Sequence, residues 1–268
     1  HGLQPKIETG VGEFLKKNPT YDGRDIIIAI LDTGVDPLAP GLQKCPDGSV
    51  KVVDIVDCSG SGDVLLGDEF EWSGDSTLLP SLRMLRLNPK WTNPSGKYRA
   101  GFIYLYDIYP EDLLTRVKDK RKEAFMKQHD LILASVQAEF DSWLQKNASL
   151  KNEEQMREKE DFEAKIFSLN ELAKSYEDVG MRVNFITFFD GSRYRAAFDL
   201  DGSGDLTNAT LLTDYKYENQ CLFFSHEDML AFGVNFYNNG TVLSIVTDCG
   251  SHGTHVASIA AAYFPDDS

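Results

Sequence analysis

Apolar positions change their spacing several times along the 268 residues. They are sparse over residues 1–20, which predicts a polar arm with one helical turn around Gly12–Leu15. Asp25–Leu31 (Asp-Ile-Ile-Ile-Ala-Ile-Leu) then runs apolar without alternation and stops at Asp32-Thr33-Gly34. An unbroken β-branched run predicts a strand buried on both faces, as in a parallel sheet covered by helices. Lys51–Val56 predicts a second, shorter strand, and residues 64–100 read as irregular.

From Tyr109 to about Tyr176 Gly and Pro nearly vanish and the spacing turns helical. Leu113, Val117, Ala124, Leu131, Phe140 and Leu144 share one face; Met156, Phe162, Ile166, Leu169 and Leu172 share another. The break at Lys146–Ser149 predicts two long helices packed as an αα-hairpin. After Gly180 the period is two. Val183–Phe188, the Asp190-Gly191 turn and Tyr194–Phe198 predict one β-hairpin. Phe232–Tyr237, Asn239-Gly240 and Val242–Val246 predict another. The stretch from Ser251 to about Tyr263 reads as a small-residue helix with Ser251 as its cap.

Charge narrows the partners. Lys and Arg total 27 against 42 Asp and Glu, a net charge of −15. Nucleic acid and anionic membrane surfaces both reward clustered positive charge, so neither is an expected partner. No run reaches the ~18 apolar residues of a membrane span, and the opening His1–Lys6 lacks the apolar core of a signal peptide. Cys45, Cys58, Cys221 and Cys249 are irregularly spaced, which predicts reduced thiols in a cytoplasmic protein.

Two candidate chemical positions stand at opposite ends of the chain. Asp32 follows the buried run, at the strand edge where α/β sheets collect catalytic groups. His252 sits in the first turn of an Ala-rich helix, with Gly253 and Ala257 leaving room for close approach. A lone Asp-Thr-Gly lacks the second copy an aspartic protease needs. His252 and His255 lack a third metal ligand nearby, so no metal and no cofactor are expected. His255 reads as structural, Asp36 as a turn residue ahead of Pro37, and Cys249 as packing. Asp199–Asp205 echoes the start of an EF-hand loop, but position 12 is Thr210 rather than Glu and no helices flank it, so a polar turn is favoured over a calcium site.

Ala29–Asp36 and Ser251–Ala261 resemble the Asp and His motifs of the subtilisin-like serine peptidases, in the order that family uses. The separation of 220 positions from Asp32 to His252 exceeds the usual spacing there. That gap is similar to the tripeptidyl-peptidase branch, as are the segments His1–Gly10, Tyr21–Arg24, Ser59–Val64, Trp91–Tyr98 and Leu243–Thr247. The resemblance implies an α/β fold: an incomplete subtilisin-like parallel-sheet domain with a large α+β insert between the two motifs. Residues 1–99 would be the arm and Asp-motif part, 100–246 the insert of β-hairpins and helical hairpin, and 247–268 the His-motif helix. It implies Asp32 and His252 as catalytic residues, with the nucleophilic Ser outside these residues and the fragment inactive alone. It also implies oligopeptide substrates cut to tripeptides from their free amino ends, self-association into a large homo-oligomer, and a cytoplasmic location. The alternatives are a subtilisin-like endopeptidase with an unusual insert, or a fragment serving only as an oligomerisation or interaction module.

Overall fold

A computed structural model describes residues 7–72, 85–149, 152–225 and 227–265. The opening His1–Lys6 and residues 73–84 of the stretch read as irregular lie outside the described residues. The chain divides into two compact units, residues 1–31 and 32–268.

In the first unit, α1 (Val11–Lys17) supplies the helical turn, and the Phe14 ring packs against Tyr21 with centroids 6.0 Å apart. Asp25–Leu31 corrects the sequence reading: it forms no strand, and Ile26, Ile27, Ile28 and Leu31 are exposed. A run that is apolar on both faces needs sheet neighbours to bury both, and no described residue pairs with it.

The second unit contains β1 (Asp63–Leu65), β2 (Phe70–Glu71), β3 (Lys97–Tyr104), α2 (Leu105–Ile108), α3 (Glu111–Lys146), α4 (Glu153–Lys174), β4 (Arg182–Phe189) and β5 (Tyr194–Asp199). It continues with α5 (Tyr215–Glu218), β6 (Leu222–Phe223), β7 (Ala231–Tyr237), β8 (Val242–Thr247) and α6 (Ser251–Ala261). The strands make two four-stranded sheets, ordered β1-β8-β7-β6 and β2-β3-β4-β5. Every ladder in them is antiparallel, so the expected parallel sheet is not what the described residues build. The connections explain this. β4 and β5 are joined by the short turn closed by Asp190 N–H donating to Arg193 O, whereas parallel neighbours need a long crossover.

Lys51–Val56 forms no strand and joins no ladder, against the expected second strand. Its Ile55 side chain instead fills the space above Gly233, where a Cβ would lie 2.6 Å from Ile55 Cδ1, and Asn235 Nδ2 donates to Ile55 O at 2.7 Å. The ladders also begin before residue 100. β1 pairs with β8 and β2 with β3, so the expected division at residues 99/100 runs through a sheet.

The two sheets face each other across Phe185, Phe198, Phe232, Val234, Leu243 and Ile245. The Phe224 and Phe232 rings stack with centroids 4.0 Å apart. A second apolar layer, Leu85, Leu87, Tyr98, Ile186 and Phe188, covers the other face of β3–β5. β4 is therefore buried on both sides from Val183 to Phe188.

The helical hairpin forms where its periodicity predicts, but Ala124, Leu131, Met156 and Leu172 of the expected faces are exposed. α3 ends at Lys146, and Asn152 caps α4 by accepting from Gln155 N–H at 2.9 Å. Phe140 of α3 stacks on Phe162 of α4, and Phe125 of α3 on Tyr176 just beyond α4. At its base, Tyr106 Oη and Arg121 both donate to Asp178. No helix among the described residues is long and apolar enough to cross a membrane.

Candidate active site

The site is made where the loop after Asp32 meets the first turn of α6. Glycine makes that meeting possible. Gly34 has φ +101° and a Cβ there would lie 2.9 Å from Asp248 Cα. A Cβ on Gly253 would lie 2.2 Å from Gly34 O and 3.2 Å from Asp32 Cβ. With hydrogen at both positions, helix and loop backbones come into direct contact.

Hydrogen bonds then fix the register. The Thr33 hydroxyl donates to Gly250 O at 2.9 Å and accepts from Gly253 N–H at 3.0 Å. Cys249 N–H donates to Thr33 O at 2.7 Å, and Asp36 N–H donates to Thr254 Oγ1 at 2.9 Å. The structure corrects the expected cap: Ser251 is the first helical residue, Gly250 precedes it, and neither side chain caps the helix. Thr33, from the other end of the chain, satisfies an amide in the first turn instead.

In this frame His252 Nδ1–H donates to Asp32, with both carboxylate oxygens at 2.8 Å. Asp32 also accepts from Thr33 N–H at 2.7 Å. The Thr33 amide, and after it the His252 ring, hold the Asp32 carboxyl below its ordinary value. The Asp32 side chain is 19% exposed and that of His252 70% exposed. The imidazole is thus held on its Nδ1 edge by an ionised carboxylate, and Nε2 has no hydrogen-bond partner among the described residues. A base oriented in this way can take a proton at Nε2 while the carboxylate stabilises the cation formed.

The other residues singled out in the sequence fall apart from this pair. Asp36 Oδ1 accepts from Leu38 N–H at 2.8 Å, a local turn bond. His255, expected to be structural, is exposed on α6. Cys249 is also exposed rather than packed, and all four cysteines are free thiols. Burial pushes the nearby Asp248 carboxyl up. Among the described residues no three His, Cys, Asp or Glu side chains converge as metal ligands. The residue that sequence reasoning passed over is Thr33. Its only signal was a hydroxyl next to the motif Asp, and its partners lie more than two hundred residues away.

Known proteins resemble this chain along nearly its whole length. Tripeptidyl-peptidase 2 of Oryza sativa subsp. japonica is 36% identical over 99% of this chain, and that of Arabidopsis thaliana 35% identical over 99%. The chain spans 20% of the length of each. A crystal structure of tripeptidyl peptidase 2 superposes with a TM-score of 0.72 at 29% identity, covering 97% of this chain and 20% of that one. The fold is thus subtilisin-like in the sense of that structure, mixed α/β with antiparallel sheets. The subtilase family model matches residues 23–268 and so takes in both motifs and everything between them. The chain belongs to the subtilase family.

Proposed function

We propose that this chain supplies two of the three catalytic groups of a serine peptidase, Asp32 and His252. The observation that carries the reading is the bond from His252 Nδ1 to both Asp32 oxygens, made across 220 residues of sequence. In the reaction His252 Nε2 removes the proton from a serine hydroxyl as the oxygen attacks a peptide carbonyl. The imidazolium then protonates the departing amine, and water repeats the sequence on the acyl-enzyme. Asp32 keeps the proton of the resting imidazole on Nδ1 and stabilises the charged ring. The serine, and the groups that bind the substrate's amino terminus, come from sequence outside this chain.

The substrate class follows from the relatives. Proteins named tripeptidyl-peptidase 2 are similar along nearly the whole chain, which supports release of tripeptides from the free amino ends of oligopeptides in cytoplasmic protein turnover. The α+β unit between the motifs is the insert of that peptidase domain. Its helical hairpin leaves Leu131, Ile132, Phe167 and Leu172 exposed, which supports a role for this surface in self-association.

The test uses the intact protein and a fluorophosphonate probe, which reacts only with an activated serine. The parent is expected to label and to release tripeptides. His252→Ala loses both, and Asp32→Asn loses about 10⁴-fold in turnover. Normal turnover in His252→Ala would overturn the assignment and leave the interaction-module reading.

A further inference from the structure

The helical hairpin is anchored at its base. Leu113, Leu114 and Val117, at the start of α3, pack against the cluster between the sheets, and Tyr109 Oη donates to Asp228 at 2.6 Å. Toward the tip, near Asn147, α3 and α4 pack on each other. His129 Nε2–H donates to Leu169 O at 2.9 Å, Phe140 stacks on Phe162, and Trp143 Nε1–H donates to Glu158 at 2.7 Å.

These contacts decide what the outer edges carry. On α3, Lys127, Leu131 and Ala138 each stand two positions from Phe125, His129 or Phe140. That is a rotation of roughly 200°, which puts them on the edge away from α4 together with Ala134. On α4, Glu160, Ala164, Phe167 and Glu171 stand two positions from Glu158, Phe162 or Leu169 and make the opposite edge. All of these side chains are exposed. Leu131 and Phe167, at 68% and 66%, are the most exposed large apolar groups of the two helices. Each lies two residues tipward of the His129–Leu169 bond, so they stand at one height on opposite edges.

The two edges have the same spacing. From Leu131, Lys127 is four residues toward the base, with Ala134 three and Ala138 seven toward the tip. From Phe167, Glu171 is four residues toward the base, with Ala164 three and Glu160 seven toward the tip. On the self-association proposed above, on which this rests, we propose that the α3 edge of one copy docks on the α4 edge of a second copy, the helices antiparallel and Leu131 against Phe167. Lys127 then meets Glu171, and Ala134 meets Ala164, which lets the helices approach closely. Lys174, ion-paired with Glu171 at 2.9 Å, comes beside Glu123, so charges alternate across the contact. Pairing like edges gives the opposite result. Two α4 edges centred on Phe167 set Glu163 against Glu171, and two α3 edges centred on Leu131 set Arg116 against Lys146. Like charges opposed across a contact disfavour it. Each copy carries both edges, so the contact is heterologous and builds a row or ring in place of a closed pair.

Sedimentation and oxidative crosslinking of the intact protein test the contact. The parent should sediment as an assembly. Leu131→Cys and Phe167→Cys in the same chain should give a ladder of disulfide-linked dimers, trimers and higher products, because the facing Cα atoms come within the ~7 Å a disulfide spans. Each single variant should crosslink no more than the parent, and a mixture of the two should stop at dimers. Lys127→Glu should weaken assembly about tenfold, and Glu171→Lys likewise. The two changes together should return it to within about threefold of the parent. A parent that stays monomeric overturns the self-association reading and this contact with it. A parent that assembles while the paired cysteines give no ladder overturns this contact alone. So do dimers from one single variant, which identify a two-fold contact, and so does a charge-swapped pair that fails to recover.

Discussion

Around Asp32 the chain meets α6 through hydrogen bonds and bare backbone, whereas between the sheets it meets itself through aromatic rings. Only Gly253 and Ala257 of α6 are buried, yet four hydrogen bonds hold the start of this helix against the loop after Asp32. The sandwich has the opposite character. Phe185, Phe198, Phe224 and Phe232 are almost wholly enclosed and contribute transfer free energy and packing, with no reacting group among them. Geometry at the site and stability of the unit are thus largely separate properties of separate regions, and substitutions should divide accordingly.

The largest expected effect on stability lies in the sandwich. Phe232→Ala removes a ring packed on both Phe224 and Phe198 and should cost about 3–5 kcal/mol in denaturant unfolding. A cost near zero would mean that the sheets do not depend on this layer. Next comes Thr33→Val at the seam, which keeps the shape but leaves Gly253 N–H and Gly250 O without the hydroxyl. It should cost about 1–2 kcal/mol and, unlike Phe232→Ala, should lower turnover at temperatures where the fold is intact.

A pH titration sharpens the contrast further. Arg195 is held between Asp190 at 2.6 Å and Glu218 at 2.8 Å. Burial raises the Asp190 carboxyl, but Arg195 and the turn amides outweigh it; Arg195 lowers that of Glu218 directly. Both folded values lie below the ordinary 3.8 and 4.5, so the native state binds fewer protons than the unfolded one there. The stability they add is complete above those ordinary values and is lost as pH falls through the lowered ones. Unfolding at decreasing pH should show this loss in the parent and a flatter curve in Arg195→Met. The smallest stability effect is expected for His252→Ala. The ring is mostly exposed, and the melting midpoint of the intact protein should stay where it was while its peptidase activity disappears.

The elements legible in the sequence were those long enough to show a period. α3 and α4, their break near Asn147, and the β4–β5 and β7–β8 hairpins each repeat an apolar spacing over several residues. β1, β2 and β6 have two or three residues each, too few for a period to appear. They exist because a neighbouring strand offers a ladder, a fact of tertiary structure. Asp25–Leu31 failed for the converse reason, since its composition is right for a central strand but no described residue pairs with it. Asp32 and His252 were legible because each carries a motif on its own short segment. Their bond to each other was inferred from the resemblance alone, and Thr33's bridging role depends on two backbone groups that no local pattern identifies.

The β1–β8 ladder also has a bearing on how the proposed catalytic pair is assembled. Closing a flexible loop costs free energy that grows with the logarithm of its length. Bringing Asp32 to His252 directly would close 220 residues. Once Asp63 is paired with Ser244, only about 40 residues of chain remain to be closed, a reduction worth roughly 1.5 kcal/mol. The unit between the motifs therefore acts as a short circuit in the chain. Lengthening its helical hairpin should leave that closure unchanged, because the added residues lie behind a ladder that has already brought the ends together.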